Sequence, residues 1–121
     1  MKKLLFLLFI VMPLVARSQT PVMQWDFENI KNRNSIEVST NIADTIEGNF
    51  GEATGVAGKG LALDGFTTRV IRSGSDLKKP GDEITIEAWV SLGEYPLNWC
   101  PVITTESDEI KGYRLMIGPY G

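Results

Sequence analysis

The sequence predicts an all-β protein, a sandwich or barrel, on three observations. First, Ile84-Thr-Ile-Glu-Ala-Trp-Val-Ser-Leu92 alternates strictly, with Ile84, Ile86, Ala88, Val90 and Leu92 on one side of an extended segment. Second, the other apolar runs are short and lie between turn residues rich in Gly, Pro and Asn. Third, no segment carries helical periodicity with caps at its ends. Period two with β-branched residues describes half-buried strands of an antiparallel sheet, and many short strands with Gly-rich turns describe packed or closed sheets.

The amino terminus stands apart from that domain. Lys2-Lys3 precedes an apolar run from Leu4 to Val15, and Ala16-Arg17-Ser18 follows it. A positive start, an apolar centre and small residues at the end form a secretory signal peptide over residues 1–18, with cleavage expected after Ser18. The run is shorter than the roughly 20 residues of a membrane-spanning helix. No cysteine follows it to carry a lipid. The expected location is therefore secreted: periplasmic, cell-surface or extracellular. The domain should occupy residues 19–121.

Of 12 basic residues, Lys2, Lys3 and Arg17 leave with the leader, so nine face 15 acidic ones, a net charge of −6. An acidic surface repels phosphate backbones, which argues against nucleic acid as a partner. Cys100 has no second cysteine to pair with. The chain also has no histidine, so it holds no His-dependent nucleophilic triad and no His-ligated metal.

Taken in order, Met23, Trp25 and Phe27 alternate with polar residues and predict a first strand. Residues 29–41 are polar and predict a long loop, with a short strand at Ile36–Val38. Another short strand is expected at Thr45–Phe50. Gly51, Gly55, Gly58 and Gly60 then predict an irregular crossing between sheets, ahead of a strand at Leu61–Asp64. Phe66–Arg72 is the next strand, and a loop at 73–82 leads into Ile84–Leu92. Residues 93–101 read as loop, and Val102–Thr105 pairs with Tyr113–Ile117 across a polar connection. The expected core is Trp25, Phe27, Leu61, Leu63, Ile84, Ile86, Ala88 and Val90, with Trp89 covered by a second sheet.

Four pieces in this order resemble the laminin-G-like, concanavalin A-like jelly-roll modules. They are Trp25-Asp-Phe-Glu28, Gly55-Val-Ala-Gly-Lys-Gly-Leu-Ala-Leu-Asp-Gly65, Ile84-Thr-Ile-Glu-Ala-Trp-Val90 and Gly112-Tyr-Arg-Leu-Met-Ile117. Tyr95-Pro-Leu-Asn-Trp-Cys-Pro-Val-Ile103 and Gly118-Pro-Tyr-Gly121 are closer still to modules that adjoin secreted bacterial glycoside hydrolases, fructan-cleaving ones included. The resemblance implies a two-sheet antiparallel jelly-roll sandwich. Such a fold needs about eight strands and the pattern yields about seven, ending inside an expected hairpin turn. The resemblance therefore implies further strands beyond Gly121 and a module truncated at its carboxyl end.

The sequence offers residues for three chemistries. Gly55-Val-Ala-Gly-Lys-Gly60 fails the phosphate-loop spacing, because Ala53 and Gly60 stand where Gly and Ser or Thr are required. Asp26 and Glu28 stand at a plausible i, i+2 spacing on one strand face, but no Glu-x-Asp-x-Glu signature of a glycanase is present and Asp82, Glu83 and Glu87 fall at the wrong intervals, so no catalytic residue is assigned. Sugar rings stack on aromatic side chains, and this leaves Tyr95, Trp99, Tyr113 and Tyr120 as candidate carbohydrate-binding residues, with Arg114 and Asp108 adding polar contacts. The expected ligand is a polysaccharide or glycoconjugate. No cofactor is expected; calcium occurs at the rim of this fold, but no ligand spacing for it is readable.

The resulting expectation is a non-catalytic carbohydrate-binding or accessory module of an exported polysaccharide-degrading protein. Its alternatives are the first part of a glycoside hydrolase with a catalytic module downstream, and an adhesion or protein-interaction module without a sugar site.

Overall fold

The computed structural model describes residues 20–77, 81–105 and 112–120. The leader and Asp108 lie outside that range. Among the described residues eight strands form, all paired antiparallel: β1 (Ile30–Lys31), β2 (Asn34–Ile36), β3 (Ala43–Glu47), β4 (Phe50–Thr54), β5 (Lys59–Leu63), β6 (Arg69–Ile71), β7 (Cys100–Thr104) and β8 (Arg114–Ile117). One 3₁₀ turn, Gly74–Asp76, is the only helical piece among the described residues. The protein is all-β.

A four-stranded sheet runs in the order β1-β2-β3-β6, and β4-β5 and β7-β8 are separate two-stranded ribbons. The chain leaves β3, makes the β4–β5 ribbon, then returns to pair β6 against β3. Each turn has a local cause. β1 and β2 are joined by Asn32 and Arg33, with φ of 48° and 62°. Two successive left-handed residues make the hairpin turn whose twist matches its strands. Asparagine tolerates that conformation. Arg33 is held in it by its own contacts: its guanidinium binds the Gly48 carbonyl and sits 5.0 Å from the Phe50 ring centre.

The glycine-rich stretch differs from expectation. It is a regular hairpin, with Gly51 and Gly60 inside β4 and β5 and a turn closed by the Gly55 amide on the Gly58 carbonyl at 2.9 Å. Gly58 has φ of 78°, a left-handed conformation that favours glycine, and a Cβ there would displace the Glu28 carboxylate. At the far end of the ribbon the Asp64 carboxylate accepts the amides of Phe66, Thr67 and Thr68 at 2.8–3.0 Å and fixes the return into β6.

The core lies on one face of the four-stranded sheet. Along β3, Asp44 and Ile46 point inward while Ala43 and Thr45 point out. Ser35 is opposite Asp44, and Val70 is opposite Ile46. Ile46 is the one fully buried apolar residue among those described, and the other buried residues are Ser35, Glu37 and Asp44. A polar cluster, not an apolar layer, fills the tightest part of the fold.

Two expected strands do not form. Residues 23–27 make no ladder, although the Gln24 carbonyl accepts the Val38 amide at 2.9 Å and Phe27 turns the chain with φ of 58°. Ile84–Leu92 also belongs to no sheet, and Trp89 there is 86% exposed. Alternation gives a segment one apolar side, but a strand also needs a neighbour to take its amides and carbonyls. None lies beside it among the described residues. Of the expected core, Trp25, Phe27, Leu61 and Ile86 are half-buried, whereas Leu63, Ile84, Ala88, Trp89 and Val90 are exposed.

Candidate functional site

Two places concentrate chemistry, and they differ in kind. The first is a charged cluster between the amino-terminal segment and the four-stranded sheet. Arg72, just past β6, places Nε 2.9 Å from Asp44 Oδ1 and Nη2 2.7 Å from Asp44 Oδ2. The Trp25 indole donates to Asp44 Oδ2 at 2.5 Å, and the Arg72 guanidinium stands 5.2 Å from the Trp25 ring centre. Glu37 approaches Arg72 Nη1 at 3.7 Å.

Glu37 is itself wrapped by backbone. Its Oε1 accepts the Gln24 amide at 2.6 Å and the Ser39 amide at 2.8 Å, and its Oε2 accepts the Thr40 amide at 2.8 Å and the Thr40 hydroxyl. Burial pushes the Glu37 carboxyl up, but the Thr40 hydroxyl and the Gln24, Ser39 and Thr40 amides outweigh it and hold the pKa down at about 2. Arg72 is pushed up by its hydrogen bonds to Asp44, with burial opposing and the Asp44 and Glu37 charges adding to the rise. Each partner here is bonded to another, so nothing is poised to take a substrate. The cluster is a clasp holding residues 20–28 to the sheet. Sequence reasoning missed it, placing Glu37 in a short strand, Ile36–Val38, within a polar stretch and leaving Glu37, Asp44 and Arg72 without a role. The one available signal was Ile36-Glu37-Val38, a carboxylate flanked by β-branched residues.

The second place is the β7–β8 ribbon, where the sequence put most of its sugar-binding candidates. Cys100 pairs with Ile117 and Pro101 with Met116; a bulge at Val102 then brings Ile103 to Leu115 and Thr104 to Arg114. Extending that register sets Trp99 opposite Gly118, and the contact is direct: a Cβ built on Gly118 would lie 3.4 Å from the Trp99 ring. The indole rests on a position without a side chain, with 67% of the residue open to solvent. Tyr120, two residues beyond Gly118, is 93% exposed, and Tyr95, four residues before Trp99, is exposed too.

Tyr113 and Arg114 lie at the other end. The Thr105 amide donates to the Tyr113 carbonyl at 3.0 Å, and the Tyr113 amide donates to the Thr105 hydroxyl at 3.1 Å, which closes the ribbon there. Five residues of extended chain separate Tyr113 from Gly118, about 16 Å. By the pleat Tyr113 falls with Leu115 and Ile117 and Arg114 with Met116, on opposite faces. The structure thus sets Trp99 beside Gly118 at one end of the ribbon and Tyr113 and Arg114 toward the other. Cys100 is half-buried at the start of β7.

The acidic candidates have structural tasks or open surroundings. Glu28 Oε1 accepts the Lys59 amide at 2.6 Å, and Asp26 Oδ1 accepts the Glu28 amide at 3.1 Å. Asp82, Glu83 and Glu87 are exposed. Among the described residues no group of three or more Cys, Asp or Glu side chains converges as a metal ion would require, and no helix is long and apolar enough to cross a membrane. No family model, curated protein or solved structure matches the chain.

Proposed function

We propose that the chain is a non-catalytic carbohydrate-binding module of an exported polysaccharide-degrading protein, built as part of a laminin-G-like jelly-roll sandwich. The observation that carries the sugar-binding step is Trp99. Its ring comes close to Gly118, where a built Cβ would touch it at 3.4 Å, yet two-thirds of the residue faces water. An aromatic ring backed by the neighbouring strand and open to water is what the C–H face of a sugar stacks on; Tyr95 lies four residues before it, and Tyr120 two residues after Gly118. Fold alone does not give function, so the proposal rests on this residue and not on the jelly roll.

The test is affinity electrophoresis of the full chain through gels cast with levan, inulin, xylan or β-glucan. Retardation in at least one gel is expected, with Trp99→Ala weakening it about tenfold, or ~1.4 kcal/mol. A chain that runs unretarded in every gel, or a Trp99→Ala variant held as strongly as the parent, overturns the proposal.

A further inference from the structure

The β7–β8 ribbon has two unlike faces. Cys100 pairs with Ile117 and Ile103 with Leu115, and all four are apolar and half-buried. On the opposite face Pro101 pairs with Met116 and Thr104 with Arg114, and Pro101, Thr104 and Arg114 are exposed. In a two-sheet sandwich the apolar side of a strand pair meets the other sheet, so the second face stays outside as the sandwich closes. Trp99 belongs to that outer face. Its ring lies 3.4 Å from where a Gly118 Cβ would stand, and alternation along the strand puts position 118 on the side of Met116 and Arg114.

We propose that this outer face is a linear track for an internal run of a polysaccharide, laid along the strands from Trp99 to Arg114. The inference rests on the sugar-binding reading of Trp99 and deepens it by naming the class of ligand. That class is an unbranched chain held along its length, not a chain end or a single sugar.

Four residues of strand separate Gly118 from Arg114, about 13 Å, which is longer than one sugar ring. The surface changes along that span in the way a bound chain uses. Trp99 offers an aromatic ring to the C–H face of one sugar. Pro101 and Met116 have no side-chain donor and continue the apolar strip beneath the next. At the far end the Thr104 hydroxyl both donates and accepts, and a guanidinium carries five N–H donors. Both side chains already interact within the protein, and that capacity lets them hold a sugar hydroxyl as well. Between the two ends nothing is charged: residues 95–105 and 115–121 contain no Asp, Glu, Lys or Arg. A neutral chain crossing the strip therefore strips water from no unpaired charge. Tyr113 falls on the inner face with Leu115 and Ile117 and lies outside the track.

The test is isothermal titration of the full chain with xylo-, cello-, inulin- and levan-type oligosaccharides, each as a series from disaccharide to hexasaccharide. In a series that binds, affinity should climb at least tenfold from the shortest member to the longest, or ~1.4 kcal/mol. Arg114→Ala should weaken the hexasaccharide several-fold and leave the disaccharide unchanged, whereas Trp99→Ala should weaken both. Arg114→Lys keeps a donor in place and should recover part of the loss. The length series needs no variant, so it decides even where a substitution prevents folding. Affinity equal at every length, or a hexasaccharide held by Arg114→Ala as tightly as by the parent, would overturn the track and leave sugar binding at Trp99 standing. Silence in every series would overturn both.

Discussion

Arg72 and Asp44 form a two-point ion pair, with parallel bonds of 2.9 and 2.7 Å, and both side chains are nearly sealed from solvent. The pair joins residues 28 positions apart in sequence, and Trp25 lies over it from a third segment. A planar guanidinium suits this task because its fork matches a carboxylate at two points and its face accepts an aromatic ring. In a fold with one fully buried apolar residue among those described, this pair does work that an apolar core does elsewhere.

Breaking the pair should therefore be costly. Asp44→Ala leaves Arg72 buried beside Glu37 alone and removes the acceptor of the Trp25 indole. A loss of about 3–5 kcal/mol is expected, a large share of a typical 5–15 kcal/mol. Replacing both partners, as Asp44→Leu with Arg72→Met, should cost less than Asp44→Ala. Urea unfolding of the parent, Asp44→Ala, Asp44→Leu, Arg72→Met and the double variant decides it: losses of Asp44→Leu and Arg72→Met that simply add in the double would show that the two residues are not coupled.

Acid should loosen the clasp through Glu37. Its folded pKa of about 2 lies below the ordinary value of 4.5, so its contribution is present above pH 4.5. The contribution falls away as pH drops from there through about 2, because the unfolded chain takes up the proton first. Thr40→Val removes the hydroxyl that donates to Glu37 and should shrink this dependence. Melting curves between pH 2 and 6 report it; an unchanged slope in Thr40→Val would count against the wrapped carboxylate.

The class and several elements were legible in the sequence because they are local. The β7–β8 hairpin came from two apolar runs across a polar connection, and the β5 strand from Leu61-Ala-Leu63. The glycines at 55 and 58 were recognised as turn formers, but their spacing does not say whether the turn joins two paired strands or two sheets. Glu37, Asp44 and Arg72 were illegible for a different reason. Burial of a charge depends on partners far away in sequence, and composition favours the surface for all three. Ile84–Leu92 shows the converse limit, since its pattern is as regular as any here and yet it has no ladder among the described residues. Trp99 was legible as an exposed loop aromatic, whereas its seat on Gly118 depends on the register of β7 with β8.

Export is a proposal that rests on the amino-terminal pattern, with cleavage expected between Ser18 and Gln19. The described chain makes contacts soon after that point: the Ser39 hydroxyl reaches the Pro21 carbonyl at 3.4 Å. Mass spectrometry of exported protein should find residues 1–18 gone. Exported material that retains Met1 would refute the leader.

Three glycines separate close approach from backbone strain. At Gly48 φ is 81°, and a Cβ would fall 2.2 Å from the Thr67 carbonyl oxygen, a backbone atom that no rotamer change can move. At Gly65 φ is 78°, but nothing lies within 4 Å. At Gly74 the surroundings are open and φ is not positive. Alanine at Gly74 should be neutral or slightly stabilising, because it restricts the unfolded chain. Alanine at Gly65 should cost about 1–2 kcal/mol, the penalty for a left-handed residue with a Cβ. Alanine at Gly48 adds a collision to that penalty, and it would push apart the β3–β4 and β5–β6 turns, which the Asn49 amide joins to the Thr67 hydroxyl at 3.1 Å. Its loss should exceed that of Gly65→Ala by at least ~1 kcal/mol. Urea midpoints for the three variants give the order directly, and equal losses at Gly48 and Gly65 would mean that the two turns are not in contact in solution.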